Sequence, residues 1–510
     1  MPAALYCPLA VNAWTAAFLD RLWSAPFWIA HLAGFALVAL HCLRYRREPS
    51  AALLWIFAAW SLPFFGPLLY VFFGVNRVPL KGWRKQRSDQ EFLSERRRRE
   101  EEEMPLSYWR AVHESVAVEP SDALACEHNR AMEAILRDYP LLGGNSIHPL
   151  VTGDEAYPAM AEAIRRAQQH IHMQTFILGN DSSGTMFLDL LAERARAGVK
   201  VRLLYDHFGS TRAWLSGLFR RYRTVPNLQI EAWSQANPVK RQFQINLRNH
   251  RKVLILDGQA AFTGGLNLHD VNISRPGRPA DRDYHFAVRG PIVQELQYSF
   301  LRDWYFMTDE DPETLLRKEC FPHIEPAGKA LVRVVNGGHT SEVENITDVF
   351  FATIGAARRQ LLVVSPYLAP TPDLVRAFRA AALRGVEVRV LVPKRSNHLY
   401  AGMAGRAIYD ELLEVGVRIF ERHGPFLHAK AMLADDAVAV VGTANLDVRS
   451  LRLNYETNLV VYDEALIGEL KRVVLEDLAL SEELALVQWR SRPIRQRLLE
   501  NFCHLMTPVL

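Results

Sequence analysis

His250-Arg251-Lys252 is followed after four residues by Asp257, and after six more by Gly264-Gly265-Leu266-Asn267. The same set returns 178 residues later as His428-Ala429-Lys430, Asp435 and Gly442-Thr443-Ala444-Asn445, with every internal spacing repeated. A lone His-x-Lys is an ordinary strand-end histidine beside an exposed lysine, but two copies with matched flanks point to chemistry. Imidazole serves as nucleophile or as acid and base near neutral pH. Lysine ammonium groups and asparagine N–H groups suit the oxygens that carry charge in a phosphoryl transition state. Two such sets fit a two-step exchange on a phosphodiester. One histidine attacks phosphorus; the other protonates the departing alcohol and then deprotonates an incoming alcohol or water. The candidate catalytic residues are thus His250, Lys252, His428 and Lys430, with Asp257 and Asp435 in support. Each of those aspartates sits where a turn or a structural hydrogen bond would also suit it. Asn267, Asn445 and Thr443 are candidate substrate-binding residues.

No H-E-x-x-H, no C-x-x-C pair and no dense carboxylate set is present, so neither a metal nor a cofactor is expected. The five cysteines (Cys7, Cys42, Cys126, Cys320, Cys503) are scattered, which excludes a disulfide scaffold and a zinc ribbon.

The elements that position these residues are legible. Val253–Leu256 reads as a buried strand, Asp257-Gly258 as a tight turn and Ala260–Thr263 as the return strand. Side chains two apart on a strand share a face, so His250 and Lys252 point together, as do His428 and Lys430. Upstream of the first motif, Leu188–Ala197 reads as a helix stopped by Gly198, with a strand over Val199–Tyr205. Upstream of the second, Leu374–Arg384, Gly385 and Val386–Val392 repeat that order. A repeat of this size predicts an α/β fold of two similar lobes, 141–320 and 321–510, each a mixed sheet flanked by helices.

The 510 residues suggest about three folding units, so another remains to be placed. Lys plus Arg exceed Asp plus Glu by only 60 to 56, which gives a nucleic-acid partner little support. Leu22–Leu43 contains no Asp, Glu, Lys or Arg, and neither does Ala51–Asn76. A helix needs about 20 apolar residues to cross a bilayer, so 1–76 is expected to be a membrane hairpin with helices at about 22–43 and 51–73. Pro63 and Pro67 mark where the second helix would kink or become re-entrant. Six basic residues at the hairpin's ends (Arg21, Arg77, Lys81, Arg84, Lys85, Arg87) outnumber three in its loop (Arg44, Arg46, Arg47). That bias puts the downstream lobes in the cytoplasm. Residues 77–140 read as a juxtamembrane linker with helices. In it, Arg96–Arg99 followed by Glu100–Glu103 forms either a lipid-headgroup contact or a solvated helix.

At the paired motifs the sequence resembles the phospholipase D superfamily, and within it the bacterial cardiolipin synthases. The likeness extends to Asn246–Lys252, to Arg282-Asp283-Tyr284-His285 through Gly290-Pro291 to Asp303-Trp304, to Ser365-Pro366-Tyr367, and to Leu453–Asn458. Pro63-Phe64-Phe65-Gly66, with Tyr70 and Gly74, is similar to the hairpin of the synthases that carry one. The resemblance implies two lobes with motifs facing across a shared cleft, and one active site formed by both motif sets. It implies transfer of a phosphatidyl group from one phosphatidylglycerol to another through a phosphatidyl-histidine, giving cardiolipin and glycerol. It further implies a multi-pass protein of the bacterial inner membrane, acting on phosphatidylglycerol and other anionic phospholipids, with no nucleic-acid partner. By analogy the nucleophile is His250; the residues alone do not choose, nor do they fix the donor lipid or the oligomeric state.

Two departures stand out: Thr443 where the second motif often has Ser, and Asn397 where an acidic residue is expected. A phospholipase D-type hydrolase, a membrane-anchored nuclease and a silent lipid-binding scaffold are the alternatives. Glu456 is a candidate to bond the adjacent histidine, whereas His285, Trp304 and Trp109 read as packing or interface residues.

Overall fold

The amino-terminal apolar run forms helix α1 (Ala25–Arg44), on which Leu37, Leu40 and Leu43 are exposed. Apolar side chains left facing outward along a helix suit lipid rather than water. The computed structural model describes residues 25–45, 49–74, 78–102, 118–233, 236–237, 242–243, 247–338 and 342–505. The chain divides into two units, Met1–Leu80 and Lys81–Leu510.

In the first unit, the expected second helix over 51–73 is interrupted rather than continuous. Helix α2 (Pro49–Ser61) stops after 13 residues, and the chain turns at Leu62–Phe64 into a short helical segment, Phe65–Leu69. Pro63 has no N–H to continue the ladder, and its ring crowds the preceding turn. Phe64 takes a left-handed conformation (φ 58). The return is close: a Cβ on Gly66 would lie 2.1 Å from the Ala58 carbonyl oxygen. Among the described residues, α1 is therefore the only helix long and apolar enough to cross a membrane.

The second unit begins on α3 (Val78–Glu102). Its Arg-rich turn is not simply a solvated linker, because Arg96 lies 4.1 Å above the Tyr298 ring and pairs with Glu295. Helix α4 (Ala123–Ile135), which the sequence assigns to the linker, packs instead in the core of the second lobe through Leu124, Ala125 and Met132. Trp109 lies outside the described residues.

The first lobe contributes β1 (Leu142–Val151), α5 (Thr152–Arg166), β2 (His170–Thr175), α6 (Ser182–Arg196), β3 (Lys200–Asp206) and β4 (Leu228–Trp233). It continues with β5 (Val253–Leu256), β6 (Ala260–Gly264), β7 (Tyr284–Arg289) and α7 (Ile292–Thr308). The second contributes β8 (Ala330–Gly337), α8 (Asn345–Ala356), β9 (Gln360–Val364), α9 (Pro372–Leu383), β10 (Glu387–Pro393) and β11 (Arg418–Arg422). Then come β12 (Ala431–Ala434), β13 (Val438–Gly442), β14 (Glu456–Tyr462), α10 (Glu464–Ala479) and an edge strand, β15 (Ser481–Glu483). All fifteen strands join one sheet, in the order β15-β11-β10-β9-β12-β13-β14-β8-β1-β7-β6-β5-β2-β3-β4.

Outward from the β8–β1 seam the two directions match strand for strand: β1-β7-β6-β5-β2-β3-β4 against β8-β14-β13-β12-β9-β10-β11. The sequence duplication is thus a duplication of topology, and the lobes fuse through one antiparallel pair, Leu142 opposite Val332. Helices cover the sheet, so strands such as β5 and β12 are buried along their whole length. Gly198 (φ 99) and Gly385 (φ 89) stop α6 and α9 in matching places.

Candidate active site

His250 and His428 lie in short extended segments just before β5 and β12. Each segment pairs with backbone from the opposite lobe. His250 N–H donates to the Tyr455 carbonyl at 2.9 Å, and Tyr455 N–H donates to the Arg248 carbonyl at 2.9 Å. In the mirror arrangement, Arg282 N–H donates to Phe426 (2.8 Å) and His428 N–H donates to Arg282 (2.7 Å). The residue after Tyr455 is Glu456, and the residue after Arg282 is Asp283. Glu456 Oε2 therefore sits 2.8 Å from His250 Nδ1, and Asp283 Oδ2 sits 2.6 Å from His428 Nδ1.

The pairing is crossed: each histidine is held by a carboxylate from the other lobe. A carboxylate can only accept, so each imidazole donates from Nδ1 and keeps Nε2 as its reactive lone pair. Both carboxylates are fully buried and their pKa values stay below the ordinary range despite burial, Glu456 held down chiefly by His250, and Asp283 by Lys430 and then His428.

Burial pushes both imidazoles down to about 4, so they rest neutral at physiological pH. Burial likewise lowers Lys252 to about 7 and Lys430 to about 8. The Lys430 charge also depresses Lys252 and His250, and the Lys252 charge depresses His428. The two motif sets thus feel each other electrostatically. Each lysine folds back onto the carbonyl of its own histidine: Lys252 Nζ to His250 O at 2.7 Å, and Lys430 Nζ to His428 O. Phe176 meets the His250 ring edge-on at 5.0 Å.

Asp257 and Asp435 stand elsewhere. Asp257 accepts the backbone N–H groups of Gln168, Gln169 and His170, and Asp435 those of Arg358, Arg359 and Gln360. Both occupy the far end of their hairpins from the histidines and tie the starts of β2 and β9. Asn267 accepts from Ile177 N–H through Oδ1, leaving its amide N–H groups to donate. Asn445 donates to Asp447.

The Thr443 hydroxyl is turned onto Glu456 Oε2 (2.5 Å) and also accepts from Thr457 N–H. The motif glycines are needed for close approach. At Gly264 (φ 146) a Cβ would lie 2.6 Å from Tyr284 O, and at Gly442 (φ 152) 2.4 Å from Asn458 Oδ1. His285 and Trp304 are core residues, as expected, with Trp304 Nε1 donating to Glu310. Asn397 accepts from the Tyr367 hydroxyl.

Glu456 bonds the histidine of the other lobe rather than the one in its own. Asp283 does its equivalent work, yet spacing hides the equivalence: it lies 19 residues beyond Gly264, whereas Glu456 lies 14 beyond Gly442. Strand register restores it, because Gly264 faces His285 and Gly442 faces Asn458. Each carboxylate is two residues before that partner.

Arg251, the middle residue of the first motif, also has a role that the spacing does not reveal. It is buried, donating to Asp303 Oδ2 (2.8 Å) and to the Glu456 carbonyl (3.2 Å). Asp303 further accepts from Asn249 and Gln174 and pairs with Lys85 of α3 at 3.3 Å.

Cys320 brings one thiol near His170 and His172, the one His/Cys cluster of metal-binding proximity among the described residues. Both His172 ring nitrogens and His170 Nε2 are engaged by Gln297 and Arg202. Arg202 brings a fixed positive charge against a would-be cation, so these residues do not fit a metal site.

A duplicated sheet with two His-x-Lys sets, each histidine bonded to a carboxylate of the other lobe, is the arrangement of an enzyme of the phospholipase D type. The family described as cardiolipin synthase, PLD-like domain, matches residues 160–304 and 350–478, and the phospholipase D-nuclease N-terminal family matches 35–74. The chain is 34% identical over 474 residues to a cardiolipin synthase of Geobacillus thermodenitrificans (strain NG80-2), covering 91% of this chain and 90% of that one. It is 32% identical over 502 residues to a cardiolipin synthase of Geobacillus kaustophilus (strain HTA426), covering 95% of each. Among solved structures, the phosphatidylserine synthase of Haemophilus influenzae Rd KW20 shares the fold, with a TM-score of 0.58 at 16% identity over 75% of this chain and 100% of that one. This chain belongs to the cardiolipin synthase, PLD-like domain family.

Proposed function

We propose that this protein is a membrane phosphatidyltransferase that joins two phosphatidylglycerols into cardiolipin and releases glycerol. The crossed carboxylate–histidine pairing carries the reading, since it prepares two imidazoles of fixed tautomer with two lysines in a single site. The relatives named cardiolipin synthase supply the substrate class.

His250 Nε2 attacks the donor phosphorus. An N–P bond forms, the P–O bond to the glycerol headgroup breaks, and the departing oxygen takes the Nε2 proton of a His428 that has first picked it up from solvent. The terminal hydroxyl of the second phosphatidylglycerol then gives its proton to His428 and its oxygen bonds phosphorus. The N–P bond breaks and His250 returns. Lys252, Lys430 and the free amide of Asn267 stabilise charge on the phosphoryl oxygens.

His250, wedged against Phe176, is the better-held nucleophile; the His428 side chain, 16% exposed against 9%, is better placed to exchange protons with alcohols. Asp257, Asp435 and Thr443 support the site through backbone and carboxylate bonds. The excess of basic residues at the hairpin's ends favours catalytic lobes on the cytoplasmic side of a multi-pass anchor.

The test is purified protein in phosphatidylglycerol vesicles without added metal, following cardiolipin, phosphatidic acid and glycerol. Cardiolipin with matching glycerol, lost in both His250→Ala and His428→Ala, is the expected result. Phosphatidic acid without cardiolipin makes the protein a hydrolase and overturns the proposal.

A further inference from the structure

Transfer between two phosphatidylglycerols involves two phosphates, and only one of them reacts. The acceptor keeps its own phosphodiester, separated from its attacking hydroxyl by the three glycerol carbons. That second anion needs a place near the site but away from the histidines.

Arg248 stands two residues before His250. The backbone pairing of both residues to Tyr455 makes this stretch extended. Side chains at 248 and 250 therefore share a face, about 7 Å apart along the strand. The bridge between the two phosphorus atoms, three carbons and two ester oxygens, spans a similar length.

The Arg248 guanidinium lies 3.6 Å over the Phe208 ring, and its buried Nε has no hydrogen-bond partner. Asp206, the nearby carboxylate, is occupied: it accepts from Asn249, Phe208 and Gly209 N–H. From the second lobe, Arg449 approaches closely enough for its charge, after burial, to help push Arg248 down to about 10. His398 also feels the Arg248 charge. Cations from two lobes thus converge beside the nucleophile, with Asp206 acting on Arg248 and Asp447 on Arg449 as counter-charges. Phe208, in the turn after β3, and Leu399 and Tyr400, at the start of the short helix that follows His398, are exposed apolar side chains suited to lipid.

Taking the cardiolipin-forming reading as its basis, we propose that Arg248 and Arg449 bind the non-reacting phosphodiester of the acceptor lipid. Guanidinium groups suit this task because their planar donors match phosphate oxygens in pairs. The pair then selects phosphate-bearing alcohols over glycerol and water as acceptors, favouring transfer over hydrolysis.

The experiment uses full-length protein in phosphatidylglycerol mixed micelles, comparing wild type with Arg248→Gln and Arg449→Gln. Three acceptors are offered: phosphatidylglycerol, glycerol 3-phosphate, and isotopically labelled glycerol, whose exchange into phosphatidylglycerol needs no second phosphate. Loss of one charged hydrogen-bonding partner should lower transfer to the two phosphate-bearing acceptors about 10- to 100-fold, while glycerol exchange stays within about twofold. In the wild type, glycerol 3-phosphate should outcompete glycerol, and the variants should erase that preference.

Equal loss of all three reactions would assign the arginines to the reacting phosphate or to the fold, and overturn the inference. So would unchanged acceptor preference, or a wild type that accepts phosphatidylglycerol but prefers glycerol to glycerol 3-phosphate. A wild type that exchanges glycerol or releases phosphatidic acid but makes no cardiolipin from phosphatidylglycerol would instead remove the functional reading on which the inference rests.

Discussion

The two lobes hold their histidines by the same bond and support them in different ways. His250 is flanked by Asn249 and Arg251, both tied to Asp303 of α7, which also meets Lys85 and Gln174. His428 is flanked by Leu427 and Ala429, both fully buried and apolar. The acid near the end of α10, Asp477, instead grips Arg282, Tyr284 and Arg422, and so braces the neighbours of Asp283.

The orienting carboxylates differ too. Glu456 accepts from Thr443 and Asn454 besides His250, whereas Asp283 packs directly against Gly265. Duplication has kept the imidazole–carboxylate contact and let its scaffolding diverge. A polar network grips His250 itself in one lobe, while in the other the support falls on the carboxylate partner of His428.

The largest effect should erase the comparison. His250→Ala and His428→Ala should each lower cardiolipin formation by about 10⁴-fold or more, and the double variant should cost little beyond either single one, because the two act as a unit. A double variant far worse than both would mean two independent sites.

Next, Glu456→Gln and Asp283→Asn should each lower kcat by about 10²- to 10⁴-fold through loss of the tautomer lock. Their pH profiles should differ. Each carboxylate raises the pKa of its histidine, so its removal lowers that pKa further. His250 must be neutral to attack, so Glu456→Gln should move the acidic limb of kcat/KM to lower pH. His428 must be protonated to release glycerol, so Asp283→Asn should move the basic limb to lower pH. The same limb moving in both variants would break the division of roles.

Asp303→Asn would leave Lys85 and Arg251 buried without their shared counter-charge, for a loss of about 3 to 5 kcal/mol in denaturant unfolding. The fraction that remains folded should turn over more slowly through a displaced His250.

The smallest contrast lies at one equivalent position. Thr443→Ser keeps the hydroxyl on Glu456 and should change kcat less than about threefold, within the usual range of mild substitutions. Gly265→Ala should cost more, since its Cβ would lie 1.9 Å from Asp283 Oδ1 and push that carboxylate off His428.

Much of this was legible in the chain. The strand at Val253–Leu256, the helices stopped by Gly198 and Gly385, and the duplicated lobes follow from apolar patterning and spacing, which local physics controls. Asp283 was hidden because its loop after β6 differs in length from the one before Glu456, and only sheet register aligns them. The exchange of partners between lobes depends on contacts more than 140 residues apart in sequence, beyond any local pattern. The break at Pro63 was marked by its residue type, but the length of apolar sequence argued for a continuous helix. Burial decided the roles of Arg251 and Asp303, which motif spacing does not show.

The central claim is that two lobes make one site with one nucleophile. A phosphatidyl ester of p-nitrophenol needs no acid for its leaving group, so His428→Ala should still form the covalent intermediate and then stall. A rapid burst of one equivalent of nitrophenol per chain, with the adduct mapped to His250 and no burst in His250→Ala, is the predicted result. Two equivalents per chain, or a burst that survives in His250→Ala, would contradict it.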